Sequence, residues 1–370
     1  MRSLRQLYIV VTAVVAVLLT AMPAAAHVDY TTEGDSGHVD TVQFLIDVLS
    51  QPLHVALLVG GAAAVVVAAI AYLRWRPLRR DIAVFRDAVT DYDDLLPWLL
   101  RLGFGLPLVG AGFTGYFISP AITPTGSLLA PLARLFQIGL GFALLFGLAT
   151  RVAAFIGLLA YFGVLLFRPE LFLSMEYVAG FIVLILLGSG RPSADTVLET
   201  IAAADGTMYG RIDPIHRLTD AFRARVAPYR ALVPTIIRVG LGVTFIYLGV
   251  AQKLLAPGPA LQVVAKYNLT QVVPVDPGLW VLGAALAEIA LGTALILGLF
   301  TRADALIALF MFTLTLFGLP DDPVLAHISL FGLASALIIT GAGPHALDHY
   351  LPGWLARRVS DGTPGETTTG

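Results

Sequence analysis

The chain is 370 residues long, 57% hydrophobic and 13% charged, with a mean hydropathy of +0.83 and a formal net charge of −2. Few charges and repeated, continuous apolar runs of about 20 residues indicate a polytopic helical membrane protein and exclude a β-barrel, whose strands alternate. The charge balance carries no nucleic-acid signal. The absence of cysteine excludes thiol–disulfide chemistry, cysteine-ligated iron–sulfur clusters and covalently attached c-type haem.

In chain order, Arg2 and Arg5 precede an apolar stretch ending in Ala24-Ala25-Ala26, so residues 1–26 read as a secretory signal peptide. An uncleaved anchor would give the same topology. Cleavage leaves His27 at the start of an extracytoplasmic segment, 27–52. His27, Asp29, His38 and Asp40 are weak metal-ligand candidates there, but their spacing matches no defined site, so no metal centre is assigned.

A transmembrane span at about 53–73 is followed by Arg74, Arg76, Arg79 and Arg80, which place its end in the cytoplasm. A cytoplasmic amphipathic stretch runs on to 94. Four spans are expected at about 97–117, 130–149, 152–168 and 172–189, and four more at about 235–255, 279–300, 303–319 and 324–341. A polar, arginine-bearing linker, 199–232, separates the two sets, and residues 352–370 read as a disordered cytoplasmic tail. Nine spans put the mature N-terminus outside and the C-terminus in the cytoplasm of a multi-pass plasma-membrane protein.

The chain repeats itself. FGLATRVAAFIGLL (146–159) resembles LGLFTRADALIALF (297–310), RLGFG (101–105) resembles RVGLG (238–242), and GSGRPSAD (188–195) resembles GAGPHALD (341–348). The expected fold is therefore all-α: two parallel four-helix bundle repeats, 95–198 and 233–351, behind one N-terminal transmembrane helix.

Acids inside apolar runs are functional-site suspects. Glu288 lies fourteen residues before Arg302 and Lys253 fifteen after Arg238. At 1.5 Å per residue both stand ~21–22 Å above the arginine boundary, so the two are expected to pair across adjacent helices. His327 and Glu176 fall at a similar depth. The first copy holds Tyr116 and Gln137 in place of Lys253 and Glu288, with Arg134 one turn outward from Gln137 as an alternative cation. The Lys–Glu pair would bind a polar headgroup, hydrogen-bond a quinone, pass a proton, or simply orient two helices; these readings stay open. No second deep histidine stands opposite His327, which argues against haem.

These residues carry a family resemblance. The R-x-G-x-G opening, the Lys near the outer end of the first span, the Glu inside the second, G-L-x-T-R after it, and the closing G-x-G…D resemble the DoxX family, twice in tandem. The resemblance implies a membrane subunit of a quinol oxidase or thiosulfate:quinone oxidoreductase assembly. It further implies quinone as a non-covalent cofactor, redox subunits as partners, and Lys253, Glu288 and His327 as its ligands. Only the second copy keeps the Lys–Glu pair. No motif supports a self-contained hydrolase or ATPase. A small-solute, proton or anion transporter and a ligand-free assembly protein are the competing classes.

Overall fold

A computed structural model describes residues 39–212 and 222–350. The signal sequence, His27, His38 and the tail after 350 lie outside the described residues. Asp40 caps the first described helix, α1 (Thr41–Leu49), by accepting the Gln43 N–H at 2.8 Å, which satisfies one of the helix's free N-terminal donors. Pro52 then starts α2 (Pro52–Trp75), where its missing N–H costs nothing. Left-handed Arg76 and Leu78 (φ 45° and 59°) turn the chain into the amphipathic α3 (Arg79–Thr90).

Two sets of helices follow. The first holds α4 (Leu96–Thr114), α5 (Leu129–Phe146), α6 (Thr150–Leu165) and α7 (Glu176–Leu187), the last preceded by a 3-10 segment, Pro169–Ser174. After α8 (Ala194–Ala203) and the short α9 (Met208–Ile212), the second holds α10 (Val233–Gly249), α11 (Pro257–Lys266), α12 (Leu269–Val272), α13 (Pro277–Leu297), α14 (Thr301–Gly318) and α15 (Val324–Thr340). A π-helical turn, Val250–Leu254, extends α10.

Among the described residues six helical stretches are long and apolar enough to cross a membrane: Pro52–Trp75, Asp93–Thr114, Leu129–Phe146, Phe222–Leu254, Pro277–Leu297 and Thr301–Gly318. The chain is thus an all-α, multi-spanning membrane protein. The other three expected spans are present as shorter apolar helices, α6, α7 and α15. The twelve residues of α7 cover only ~18 Å, against a hydrocarbon core of ~30 Å.

Within the sets α4 packs on α5 and α10 on α13. Each set's first helix also packs on the last helix of the other set, α4 on α15 and α10 on α7. Glycines permit the close crossings. A Cβ on Gly242 would lie 2.6 Å from the Gly292 carbonyl oxygen, so the α10 and α13 backbones touch there. Such contact matters because lipid tails are as apolar as leucine, and close van der Waals packing has to hold membrane helices together.

At the arginine-bearing end the motif residues lock the sets. Arg238, fully buried, donates to the carbonyls of Leu295, Ile296 and His345, each at 3.1 Å. Arg101 donates to those of Leu144, Leu145, Ser189 and Pro192 at 2.7–2.8 Å. Asp348 accepts the N–H groups of Phe300 (2.7 Å) and Thr301 (3.2 Å), and Asp195 those of Ala149 (2.6 Å) and Thr150 (3.1 Å). The carboxylates therefore satisfy free donors at the starts of α14 and α6. Gly298 (φ 69°) and Gly147 (φ 66°) are left-handed at this corner. A side chain at Gly298 would also strike the Arg238 guanidinium. The G-L-x-T-R and G-x-G…D patterns are thus helix-corner chemistry.

Candidate functional site

The Lys253–Glu288 pair lies on the π turn that ends α10 and on the facing turn of α13. There the π turn, in which the Leu255 N–H reaches the Val250 carbonyl at 2.9 Å, inserts one extra residue and re-aims the side chains of Val250–Leu254. Gly249, just before it, lets α10 close onto α13: a Cβ there would be 2.7 Å from the Ala285 carbonyl oxygen and 3.4 Å from the Glu288 Cβ. Lys253 Nζ then sits 2.8 Å from Glu288 Oε1 and 2.7 Å from Oε2. The two side chains are 20% and 12% exposed, so the pair is shielded but not sealed. α11 packs over the π turn and α13 beside it.

α11 is tied to the α14–α15 connection. Lys266 Nζ lies 2.9 Å from Asp321 Oδ2, and the Tyr267 hydroxyl donates to the same oxygen at 3.0 Å. The Asp321 carboxylate raises the Lys266 pKa, and the Lys266 ammonium, with Tyr267, lowers that of Asp321. Asp322, the next residue, is buried and faces His327, with Oδ2 3.5 Å from Nε2. The other His327 ring nitrogen is 3.3 Å from the Pro323 carbonyl, and Phe312 lies edge-on to the ring at 6.3 Å. His327 stands on α15, whose main packing partners are α4, α7, α10 and α14; Lys253 and Glu288 instead face each other across α10 and α13.

The first set spends its corresponding side chains on backbone. Gln137 accepts the Ile118 N–H at 2.8 Å and donates to the Tyr116 carbonyl at 3.1 Å. Arg134 donates to the carbonyls of Gly112 (3.0 Å) and Phe113 (2.8 Å), closing the end of α4. Glu176 lies elsewhere, buried between the sets, where Ser329 Oγ donates to its Oε1 at 3.1 Å. Residue typing by itself missed Ser329, and a signal existed: Glu176 and Ser329 each stand fourteen residues before a left-handed glycine, Gly190 and Gly343.

No group of three or more metal-ligating side chains occurs among the described residues. His54 bonds the Val48 carbonyl at 3.0 Å and His349 that of Gly343 at 2.7 Å.

The DoxX family matches residues 233–328. The chain therefore carries a DoxX domain over part of its length, and Lys253, Glu288 and His327 fall within it. Neither curated proteins nor solved structures give a match to the chain.

Proposed function

We propose that the chain is a membrane subunit of a quinone-linked redox assembly, of quinol oxidase or thiosulfate:quinone oxidoreductase type, and that Lys253 and Glu288 bind the quinone headgroup. The observation that carries the reading is a shielded, incompletely sealed Lys–Glu pair among apolar helices within the DoxX domain. Two ammonium protons of Lys253 serve Glu288; the third is a donor for a quinone carbonyl, and the carboxylate keeps lone pairs for a quinol hydroxyl. His327 falls at a similar depth on α15 by helix rise. In this reading electrons come from partner subunits, since the chain has no cysteine to hold an iron–sulfur cluster.

In this reading the chain is two DoxX-like units in tandem, 95–198 and 233–351. The matching Arg101/Arg238 and Asp195/Asp348 bonding supports it. The arginine-bearing end faces the cytoplasm by the positive-inside rule, which puts the Lys–Glu pair in the outer leaflet.

The test is quinone content of the purified protein in mild detergent, measured by mass spectrometry of organic extracts from wild type and Glu288→Gln. Lipid content is the control. Near-stoichiometric quinone that falls in the variant is the expected result. Equal background quinone in both refutes the site and favours a structural pair or a transport role.

A further inference from the structure

The Glu176 carboxyl makes a second, separate polar centre. It opens α7, is 2% exposed, and meets fully buried Ser329 of α15 at the contact between the two helix sets. Oε1 accepts the Ser329 hydroxyl; Oε2 is buried with no hydrogen-bond partner among the described residues.

The groups around it are hydroxyls. Tyr177 on α7 lies near Ser329, Glu176 and Tyr116, the last just beyond the end of α4. From α6 comes Tyr161, whose proton is committed to the Leu171 carbonyl at 2.8 Å and cannot serve the carboxylate. α10 brings Tyr247 behind Tyr161, buried and without a partner for its hydroxyl. On α15 the ionisable neighbour of Ser329 is His327, which bonds toward Asp322 and Pro323.

An ionised carboxylate here would rest on the Ser329 hydroxyl and its own backbone N–H, both neutral donors, and a buried charge without a paired cation costs several kcal/mol. Protonation of the unpartnered oxygen removes that charge without needing room for a ligand. We propose that Glu176 is a proton-binding site built into the contact between the two helix sets, carrying an exchangeable proton on Oε2. Loss of the proton places a bare charge in that contact, so proton exchange and the packing of α7 on α15 are coupled. The site is independent of the quinone reading, because Glu288 has Lys253 as its counter-ion and Glu176 has a serine.

Infrared spectroscopy of the full chain in nanodiscs, in H2O and D2O near neutral pH, tests this. The expected result is a carboxylic-acid C=O band that moves down in D2O and disappears in Glu176→Gln. The band should persist in Glu288→Gln and shift upward in Ser329→Ala, which removes the hydrogen bond to Oε1. The Ser329→Ala shift carries the test if Glu176→Gln does not fold. Absence of any band dependent on Glu176 or Ser329, or a band lost in Glu288→Gln while Glu176→Gln keeps it, overturns the proposal.

Discussion

Removing one member of the Lys253–Glu288 pair strands the other inside the bundle, whereas removing both strands neither. Lys253→Met, Glu288→Leu and the double variant separate these effects as a double-mutant cycle. Taking one partner from a fully buried pair costs ~3–5 kcal/mol because the remaining charge stays desolvated. These side chains are 20% and 12% exposed, so each single variant is expected to lose ~2–3 kcal/mol, discounted from that fully buried range. The double variant, with apolar groups of similar length facing each other, should stay within ~1 kcal/mol of wild type. The coupling, the two single losses together less the double's, is then ~3–6 kcal/mol, about 10^2- to 10^4-fold in the unfolding equilibrium and well above the ~0.6 kcal/mol average for interhelical hydrogen bonds in a membrane bundle. Unfolding in mixed micelles, followed by tryptophan fluorescence with Trp280 on α13 as a local reporter, measures it. A double variant destabilised by the sum of the two single losses, leaving coupling below ~0.5 kcal/mol, would refute the claim that the two charges depend on each other.

Two further outcomes follow from the packing and from the exposed strap. Gly242→Ala forces a methyl against the Gly292 carbonyl and should cost ~1–3 kcal/mol, while Gly283→Ala, with nothing within 4 Å, should be nearly neutral; equal unfolding midpoints would refute the close crossing. The Lys266–Asp321 strap should hold α11 at neutral pH. Its Asp321 contribution is lost as pH falls through that carboxyl's lowered folded pKa, and its Lys266 contribution as pH rises through the ammonium's raised one. Hydrogen exchange in 257–266 should therefore speed up on acidification in wild type and be already fast in Asp321→Asn. Exchange in wild type that ignores pH beyond its intrinsic chemical dependence would count against the strap.

Much of the local structure can be read directly. Apolar runs mark the helices, and prolines at 52, 257 and 277 start them for want of an N–H to lose. The corner motifs predict where α5 and α13 end. The pairing of Lys253 with Glu288 follows from depth arithmetic, because rise per residue is nearly constant in a helix and adjacent antiparallel helices share one boundary. Span length is less legible. Nine apolar runs are expected to cross, and among the described residues six are long enough by themselves; at α7 a 3-10 segment, Pro169–Ser174, takes up residues that hydropathy assigns to a single span.

The roles of polar residues divide along the same line. By itself the sequence determines that this is a helical membrane protein, that Thr-Arg and the closing Asp recur, and that charges stand inside the spans, since composition and period are local properties. Tertiary structure alone decides what those charges face. By helix rise Arg134 and Gln137 stand at a depth like that of Lys253 and Glu288, yet they bond backbone carbonyls and an N–H of the loop after α4. Glu176 finds its side-chain donor 153 residues away on Ser329. That contact exists because α7 and α15 come from different helix sets and pack together, and no local pattern specifies which faces of two distant helices will meet.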